Sequence, residues 1–442
     1  MRGRRPPTAA GQQDPRPRVV IVSHLCPFPP VHGNRARLVG LLEWLRNKSF
    51  AITFILQPLD VENAHGVEEL ARVVDRLDVV REPSSPRSLI SRVSRIVGSI
   101  ARLLLPTQVV DLLVRMARTS IPRPPSSGER SSGSVARERD IDDWCWPTTR
   151  VAVRRAVRRE RPIAVIAEYA LLSKCLEDVS PPVMRVIDTV EVFFRNSDRF
   201  QTEGLEVPVV CTPTSEKRAL SRADLLVAIQ KNDARALQEC CPGTRVVTVP
   251  HFCKQGVGRG DRPETGTILY VGSSNAFNVH GLRQFLDRAW PEIVGRVPEA
   301  TLRIVGSVPK ADGSDGAKIL HVGRVTDEEL AQEYRTANVV INPQVAGTGL
   351  KIKCVEALSA GCPLVTNAAG ADGLEEGAGS AFCVAKDWGE FADHVVTLLR
   401  DTNERRALET QARIFARRMF SVDSAFAELD AVLHAGRPRG SG

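Results

Sequence analysis

The feature that most restricts the fold is a series of short apolar runs, most of them ended by glycine or proline, that alternates with helical segments. In the second half of the chain the runs are TILYVG (267–272), TLRIVG (301–306), ILHVG (319–323), NVVINP (338–343) and PLVTN (363–367). Runs of this length without polar alternation are typical of strands buried on both faces. The sequence therefore predicts an α/β fold with a parallel, doubly wound sheet.

The first half repeats the pattern. Two apolar runs flank a helix that is predicted from about Arg35 to Arg46, with Asn34 as its cap. The runs of this half are VVIVSHL (19–25), FAITFIL (50–56), IAVIAEY (163–169), RVIDTV (185–190), LLVAIQ (225–230) and VVTVP (246–250). A second sheet of the same type is predicted.

Glycines and charges interrupt the pattern at CKQGVGRGDRPE (253–264), which we interpret as a domain boundary. The predicted organisation is a disordered basic leader, two α/β domains and a helical tail. Their ranges are 1–17 for the leader, 18–255 for the N-terminal domain with a flexible Pro/Ser/Gly/Arg-rich insert at 121–143, 265–398 for the C-terminal domain, and 399–436 for the tail.

Composition limits the cellular setting. The chain has a net charge of +8, with the basic excess in the leader and between 82 and 161. This excess indicates anionic lipid or phosphorylated substrates, whereas no interleaved aromatic and basic pattern indicates nucleic acid. Ten cysteines without CxxC spacing, no apolar signal segment and no run as long as a membrane span predict a cytoplasmic protein, soluble or peripheral at the inner face of the membrane.

One segment bears on membrane contact. Between Pro83 and Pro106 arginines alternate with Ile, Val and Leu at helical spacing; they are Arg87, Arg92, Arg95 and Arg102. The pattern is typical of a basic amphipathic helix on an anionic membrane surface, and the alternative is an ordinary helix of the first domain.

The stretch GTGLKIKCVEALSAGCPLVTNAAG (347–370) carries the strongest sign of a ligand site. Its opening glycines allow a tight turn, and the helix that follows presents unpaired N–H groups to an anion. Lys353 and Glu356 fall on one helical face behind that turn. Gly361 is predicted to cap the helix. The alternative is an exposed Lys–Glu pair of little consequence.

This stretch resembles the donor-site motif of the group 1 family of retaining nucleotide-sugar glycosyltransferases. The resemblance continues in LYVGSSNAFNVHG and HVGRVTDEELAQEYRTANVVINP, and more weakly in FPPVHGNRARLVGLL and VIDTVEVFFRNSDRF. It implies the GT-B fold, in which two Rossmann-like domains face each other across a cleft. The N-terminal domain would hold the acceptor, the C-terminal domain the nucleotide sugar, and the tail would pack back across the cleft.

The resemblance also implies roles for residues on the donor side. Glu356 would accept hydrogen bonds from the ribose hydroxyls, Lys353 would assist catalysis at the diphosphate together with Lys351, and the remaining positions would surround the donor. These positions are Gly272, Ser273, Gly323, Arg324, Val325, Gly347, Thr348, Gly349 and Leu350.

The chain departs from the family pattern in three places. Thr348 replaces the first of two glutamates, the loop VGSSNAFNVHG lacks the usual Arg and Lys, and Val190 replaces a histidine. Asp188 and Glu191 remain catalytic candidates, and the cleft candidates are His24, His32, Gly33 and Glu168. For each ionisable residue among them, a structural role such as capping or ion pairing is the alternative.

The implied activity is transfer of a hexosyl group from a nucleoside diphosphate sugar to a glycan, lipid-linked or polysaccharide acceptor, with retention, no metal and no cofactor. The one acidic pair of the metal-binding type, Asp140 and Asp142, has no strand before it. Two alternatives stay open: a nucleotide-sugar 2-epimerase with the same fold, and a catalytically silent binding or scaffold module.

Overall fold

The computed structural model describes most of the chain. The described residues are 14–30, 33–58, 64–81, 140–195, 211–252, 266–310, 318–346 and 349–435. Most of the predicted leader, most of the insert, the basic segment around Arg95 and the predicted boundary lie outside them.

The N-terminal domain is built on a parallel sheet of seven described strands in the order β3-β2-β1-β4-β5-β6-β7. The strands are β1 (Arg18–Ser23), β2 (Ala51–Leu56), β3 (Arg76–Val79), β4 (Ala164–Glu168), β5 (Met184–Asp188), β6 (Leu225–Ala228) and β7 (Arg245–Thr248). The order reverses between β1 and β4, which creates a crevice at the carboxyl ends of these two strands.

Helices cover both faces of this sheet. They are α1 (Gly33–Asn47), α2 (Ala64–Val73), α3 (Pro147–Glu160), α4 (Pro213–Leu220) and α5 (Lys231–Cys240), with 3₁₀ segments at Ile141–Trp144 and Ala170–Asp178. Neighbouring residues of β1 point to opposite faces, so that Val20 and Val22 enter one apolar layer and Val19 and Ile21 the other.

The C-terminal domain repeats the design with six described parallel strands in the order β10-β9-β8-β11-β12-β13. They are β8 (Thr267–Gly272), β9 (Thr301–Gly306), β10 (Ile319–Gly323), β11 (Val339–Asn342), β12 (Leu364–Asn367) and β13 (Cys383–Ala385). Here the order reverses between β8 and β11. The two sheets confirm the predicted fold class.

The helices of this domain and the tail are α6 (Ala276–Arg288), α7 (Trp290–Arg296), α8 (Asp327–Thr336), α9 (Ile352–Ser359), α10 (Trp388–Arg400), α11 (Thr402–Phe420) and α12 (Val422–Ala435), with a 3₁₀ turn at Glu375–Gly377. The segment between β8 and β9 forms two helices, because the second begins at the Trp290–Pro291 step, where proline suits a first turn and not a helix interior.

The tail divides between the domains. Helix α11 buries Phe415 and Phe420 in the C-terminal core. Helix α12 instead packs on the N-terminal domain, where Phe426 stacks on Trp44 with ring centroids 4.6 Å apart and planes 7° from parallel. The Lys48 ammonium also lies 3.0 Å from an Asp430 carboxylate oxygen. The last described helix thus packs on the domain that contains the first described strand.

Candidate functional site

The crevice of the C-terminal sheet brings together the two segments that the sequence marked as ligand loops. Strand β8 ends at Gly272 and pairs with β11, which ends at Asn342. Ligands of doubly wound sheets bind outside the carboxyl ends of strands, at the point where the strand order reverses. The loop between β8 and α6 and the turn before α9 both leave the sheet there.

The turn before α9 is held by its own lysine. Gly349 has a φ of +76°, which favours glycine, and Leu350 is buried. Lys351 is only 6% exposed, and its Nζ donates to the Gly349 carbonyl over 2.6 Å. Gly347 and Thr348 lie outside the described residues. The described part of the predicted donor-binding turn, from Gly349 onward, is therefore held by a buried ammonium that donates to the backbone.

Helix α9 begins at Ile352, two residues after the buried Leu350, and no side chain caps its first turn. Its first N–H groups consequently have no partner within the helix, as at any helix start. At the other end Gly361 takes a φ of +68° and caps the helix as predicted. Cys354, Val355, Ala357 and Leu358 bury the opposite face.

Lys353 is partly buried and turns toward the β8 side of the crevice. Its Nζ donates to Asn278 Oδ1 over 2.6 Å and lies 5.1 Å from the centroid of the Tyr270 ring. Burial lowers the pKa of Lys353 to about 8, since the charged form loses hydration. The ammonium is thus charged at neutral pH and is fixed above the end of β8.

Glu356, one turn further along α9, turns to a different neighbour. Its Oε2 accepts from the Tyr334 hydroxyl over 3.0 Å, and Tyr334 is the buried residue of α8. Burial, with a smaller contribution from the nearby Asp327 carboxylate, raises the pKa of Glu356 to about 7. Because Lys353 and Glu356 have separate partners, they do not form the exposed pair that was the alternative.

The end of β10 lies on the same edge of the sheet. Gly323 has a φ of +82°, and the register of β10 against β9 shifts between His321 and Gly323. Arg324 is exposed, whereas Val325 packs partly on the C-terminal core. These are the positions at which the resemblance puts the nucleotide base.

Three polar side chains meet at the equivalent edge of the N-terminal sheet. Glu168 ends β4 and is paired in register with Asp188, which ends β5. Ser23, at the end of β1, donates a short hydrogen bond to Glu168 Oε2. Burial raises the pKa of Glu168 to about 8, so the carboxyl is mostly protonated at neutral pH.

Asp188 forms a buried ion pair. Arg37 donates to its two carboxylate oxygens over 2.8 and 3.1 Å, and a third donor of the guanidinium reaches the Val249 carbonyl over 2.6 Å. The two side chains are 5% and 10% exposed. The carboxylate of Asp188 thus fixes α1 against β5 and β7.

The backbone just after β4 and β5 is strained. Tyr169 and Val190 have φ values of +61° and +55°, in a region that L residues and above all β-branched ones avoid. A Cβ added at Gly349 would have the Val190 carbonyl oxygen as its nearest atom, at 3.7 Å. The segment in which valine replaces the family's histidine therefore faces the turn before α9 across the cleft.

Gly33 makes a second contact across the cleft. A Cβ at this position would lie 2.4 Å from Ile352 Cδ1, at the start of α9. His24 lies beside the Tyr169 ring, with centroids 5.1 Å apart. His32 is outside the described residues. The predicted cleft residues Gly33, His24 and Glu168 accordingly belong to segments at one edge of the N-terminal sheet.

Glu191 follows the strained valine and is partly buried. Two backbone N–H groups just beyond it, at Phe193 and Phe194, donate to the buried Glu216 carboxylate over 2.9 and 2.8 Å. Burial raises the pKa of Glu216 to about 7. This carboxylate anchors the segment that carries Glu191.

Sequence reasoning missed the neighbours of the two α9 charges. Tyr334 had a usable signal, because it is one of only three tyrosines and stands alone in the polar stretch DEELAQEYRTA. Asn278 had a weaker one, since it follows the glycine-ended β8 by six residues. Arg37 had none, because its partner is distant in sequence.

The acidic pair weighed as a metal site is engaged in ion pairs. Asp140 lies 2.6 Å from Arg218 and Asp142 lies 2.7 Å from Arg222. Over the described ranges, no three His, Cys, Asp or Glu side chains converge in a way that would hold a metal ion.

Among the described helices, none combines the length and apolar character that crossing a membrane requires.

Residues 265–401 match the family model described as "Glycosyl transferases group 1". The C-terminal domain is therefore similar to the group 1 glycosyl transferases, the family that the resemblance indicated. An uncharacterized 44.6 kDa protein in the cps region of Klebsiella pneumoniae is 24% identical over 174 residues, which are 37% of this chain and 44% of that protein. The match thus spans less than half of the relative.

Solved glycosyltransferase structures show the same fold over nearly the whole chain. Sucrose-phosphate synthase from Thermosynechococcus elongatus is 14% identical with a TM-score of 0.63, covering 95% of this chain and 99% of that one. Anabaena Alr3699/HepE, solved with UDP and glucose, is 12% identical with a TM-score of 0.59 and coverage of 95% and 100%. S. aureus TarM, solved with fondaparinux, α-GlcNAc-glycerol and UDP, is 8% identical with a TM-score of 0.61 and coverage of 94% and 99%. The protein has the GT-B fold.

Proposed function

We propose that the protein transfers a hexosyl group from a nucleoside diphosphate sugar to a hydroxyl of a glycan, lipid-linked or polysaccharide acceptor, with retention and without a metal ion. The observation that carries the proposal is the arrangement of Lys353 and Glu356 on α9. These opposite charges have separate partners in the crevice of a domain that matches glycosyl transferases.

On the donor side, ionised Glu356 accepts hydrogen bonds from the ribose hydroxyls, for which a carboxylate has only acceptors to offer. Lys353 and the N–H groups at the start of α9 face the diphosphate. Lys351 holds the turn in shape through the Gly349 carbonyl. The end of β10, at Gly323 and Arg324, borders the base.

The ligands bound in two structural neighbours support a nucleotide sugar as donor. The HepE structure contains UDP and glucose, and the TarM structure contains UDP with α-GlcNAc-glycerol. Uridine nucleotides are therefore the first donors to test, and a glycan or a glycosylated polyol is a suitable model acceptor.

The acceptor approaches from the N-terminal domain. Gly33 and Val190 lie against the start of α9 and its preceding turn, so the edge that carries them borders the donor. Glu191 is the carboxylate that we assign to the acceptor hydroxyl, since Asp188 is held by Arg37. Asp188 acts by fixing the backbone that precedes Val190, and the protonated Glu168 can donate a hydrogen bond to a sugar.

In the reaction the bond from the anomeric carbon to the diphosphate oxygen breaks, and a bond to the acceptor oxygen forms. The acceptor proton leaves with the nucleoside diphosphate, so no oxidant or reductant is needed. Negative charge grows on the departing diphosphate, and Lys353 stabilises it more strongly in the transition state than in the ground state. This cation and the helix start serve in place of a metal.

The location follows from the acceptor. A lipid-linked acceptor would hold the enzyme at the inner face of the membrane, and the arginines between 87 and 102 suit an anionic surface. Replacing Arg87, Arg92, Arg95 and Arg102 by Gln should lower co-sedimentation with phosphatidylglycerol vesicles at low salt. Binding equal to wild type would count against a peripheral enzyme.

The activity is tested by incubating the protein with UDP-, GDP- and ADP-linked hexoses, with and without acceptors. Release of nucleoside diphosphate that rises with acceptor indicates a transferase, an epimerised sugar nucleotide an isomerase, and binding without turnover a scaffold module. Nuclear magnetic resonance of the product tests retention. A protein that neither binds nor turns over any of these donors would refute the proposal.

A further inference from the structure

The loop between β8 and α6 has an unusual composition for a surface that faces a diphosphate. From Gly272 to Gly281 this loop and the start of α6 read GSSNAFNVHG and contain no lysine or arginine. A cation nevertheless lies here, because Lys353 reaches the start of α6 from α9 and its Nζ is 2.6 Å from Asn278 Oδ1. The charge of the crevice therefore comes from another element, some 75 residues along the chain.

The orientation of the Asn278 amide is fixed by its other contacts. Its Nδ2 donates to the Ser273 carbonyl oxygen over 3.2 Å and lies 3.1 Å from Ser273 Oγ. A carbonyl oxygen can only accept, so the Nδ2 must point to Ser273 and the Oδ1 to Lys353. Asn278 thus links the first residue of the loop to the ammonium.

Tyr270 completes the seat of the ammonium. Its hydroxyl donates to the backbone carbonyl of Asn278 over 3.0 Å, and its ring face lies under Lys353. Gly272 allows the ring to lie there, since a Cβ at that position would be 2.7 Å from the tyrosine oxygen. A side chain with four rotatable bonds is thereby held at one place in the crevice.

We infer that Asn278 is a positioning residue, which holds the Lys353 ammonium where the β8–α6 loop meets the donor diphosphate and so supplies the charge that this loop lacks. The inference rests on the proposed function. Asn278 acts through Lys353, so its loss should affect the diphosphate and leave the nucleoside unaffected. The low pKa of Lys353 accords with this role, because a poorly hydrated ammonium depends on a protein acceptor.

The test uses Asn278→Leu, which keeps the size of the side chain and removes both polar atoms. Affinity is measured by calorimetry for UDP and for uridine, or for the diphosphate and nucleoside of whichever base binds. We expect UDP affinity and donor turnover to fall by about tenfold or more, with uridine affinity within about twofold of wild type.

Two further variants separate positioning from folding. In a Lys353→Ala background, Asn278→Leu should have no additional effect on UDP affinity, since the group that it positions is gone. Arg283→Ala, on an exposed position of the same helix, is the control and should match wild type.

The outcomes are distinct. Equal loss of UDP and uridine affinity in Asn278→Leu, additive losses in the double variant, or wild-type behaviour would each overturn the inference and leave the glycosyltransferase proposal standing. A wild-type protein that neither binds a nucleoside diphosphate nor cleaves any donor would overturn both.

Discussion

Donor affinity should depend on pH in a way that the two α9 charges determine. Binding requires Glu356 ionised and Lys353 protonated, and burial has moved their pKa values to about 7 and about 8. The other titratable groups that act on them are Tyr334, Lys351, Cys354 and Asp327. Below its raised pKa, Glu356 is protonated and loses the charge that strengthens its hydrogen bonds. Above its lowered pKa, Lys353 loses its proton and its positive charge. Affinity is therefore greatest near pH 7.5.

The size of the effect follows from the two pKa values. At pH 7.5 roughly 60% of the free protein has both groups in the required state, and at pH 6 roughly 9% has, so affinity should fall about sixfold. At pH 8.5 the fraction is roughly a quarter, and the fall is about two- to threefold.

Calorimetry with UDP-glucose measures this profile, because a diphosphate ester has no ionisation of its own near neutral pH. Glu356→Gln should remove the acid side of the profile and weaken binding by about 1.5 to 3 kcal/mol, through loss of charge-assisted hydrogen bonds. Lys353→Met should remove the alkaline side. If the affinity of the wild-type protein changes by less than twofold between pH 6 and 7.5, the assignment of Glu356 to the ribose is refuted.

Three other perturbations test the cleft, the N-terminal domain and the chemistry. Gly33→Ala should displace Ile352 and lower turnover by about tenfold. Adding Ile352→Val, which removes the clashing Cδ1, should restore turnover in the double variant. A double variant as slow as Gly33→Ala would mean that the contact is incidental. Arg37→Ala should lower the free energy of unfolding by about 3 to 5 kcal/mol in urea, because it leaves the Asp188 carboxylate buried without its cation; a loss below about 1 kcal/mol would show that the site hydrates freely. Chelation with EDTA should leave sugar transfer intact, and activity that is lost and then restored by magnesium would contradict a metal-independent reaction.

The strands were predictable where glycine ends an apolar run. Strands β8, β9 and β10 have the predicted bounds. Strand β3 was missed because Arg76–Val79 is an edge strand with exposed ends and charged residues, and β13 because it has only three residues. In both cases pairing with a neighbouring strand, which local sequence does not encode, decides the conformation.

Part of the site was predictable for the same kind of reason. The helical period alone places Lys353 and Glu356 on one face of α9. It does not reveal that they separate toward Asn278 and Tyr334, since that depends on where α9 lies relative to α6 and α8. Nor could any local pattern predict a positive φ at Val190, because the surrounding structure imposes that strain.

The divided tail has a consequence for motion. One extended residue, Ser421, joins α11 on the C-terminal domain to α12 on the N-terminal domain. Together with the connection between Phe252 and Gly266, the chain therefore passes between the domains twice. A joint of one residue leaves these two helices little freedom to move apart, so we expect any opening of the cleft to pivot near Ser421 and to separate Gly33 and Val190 from α9.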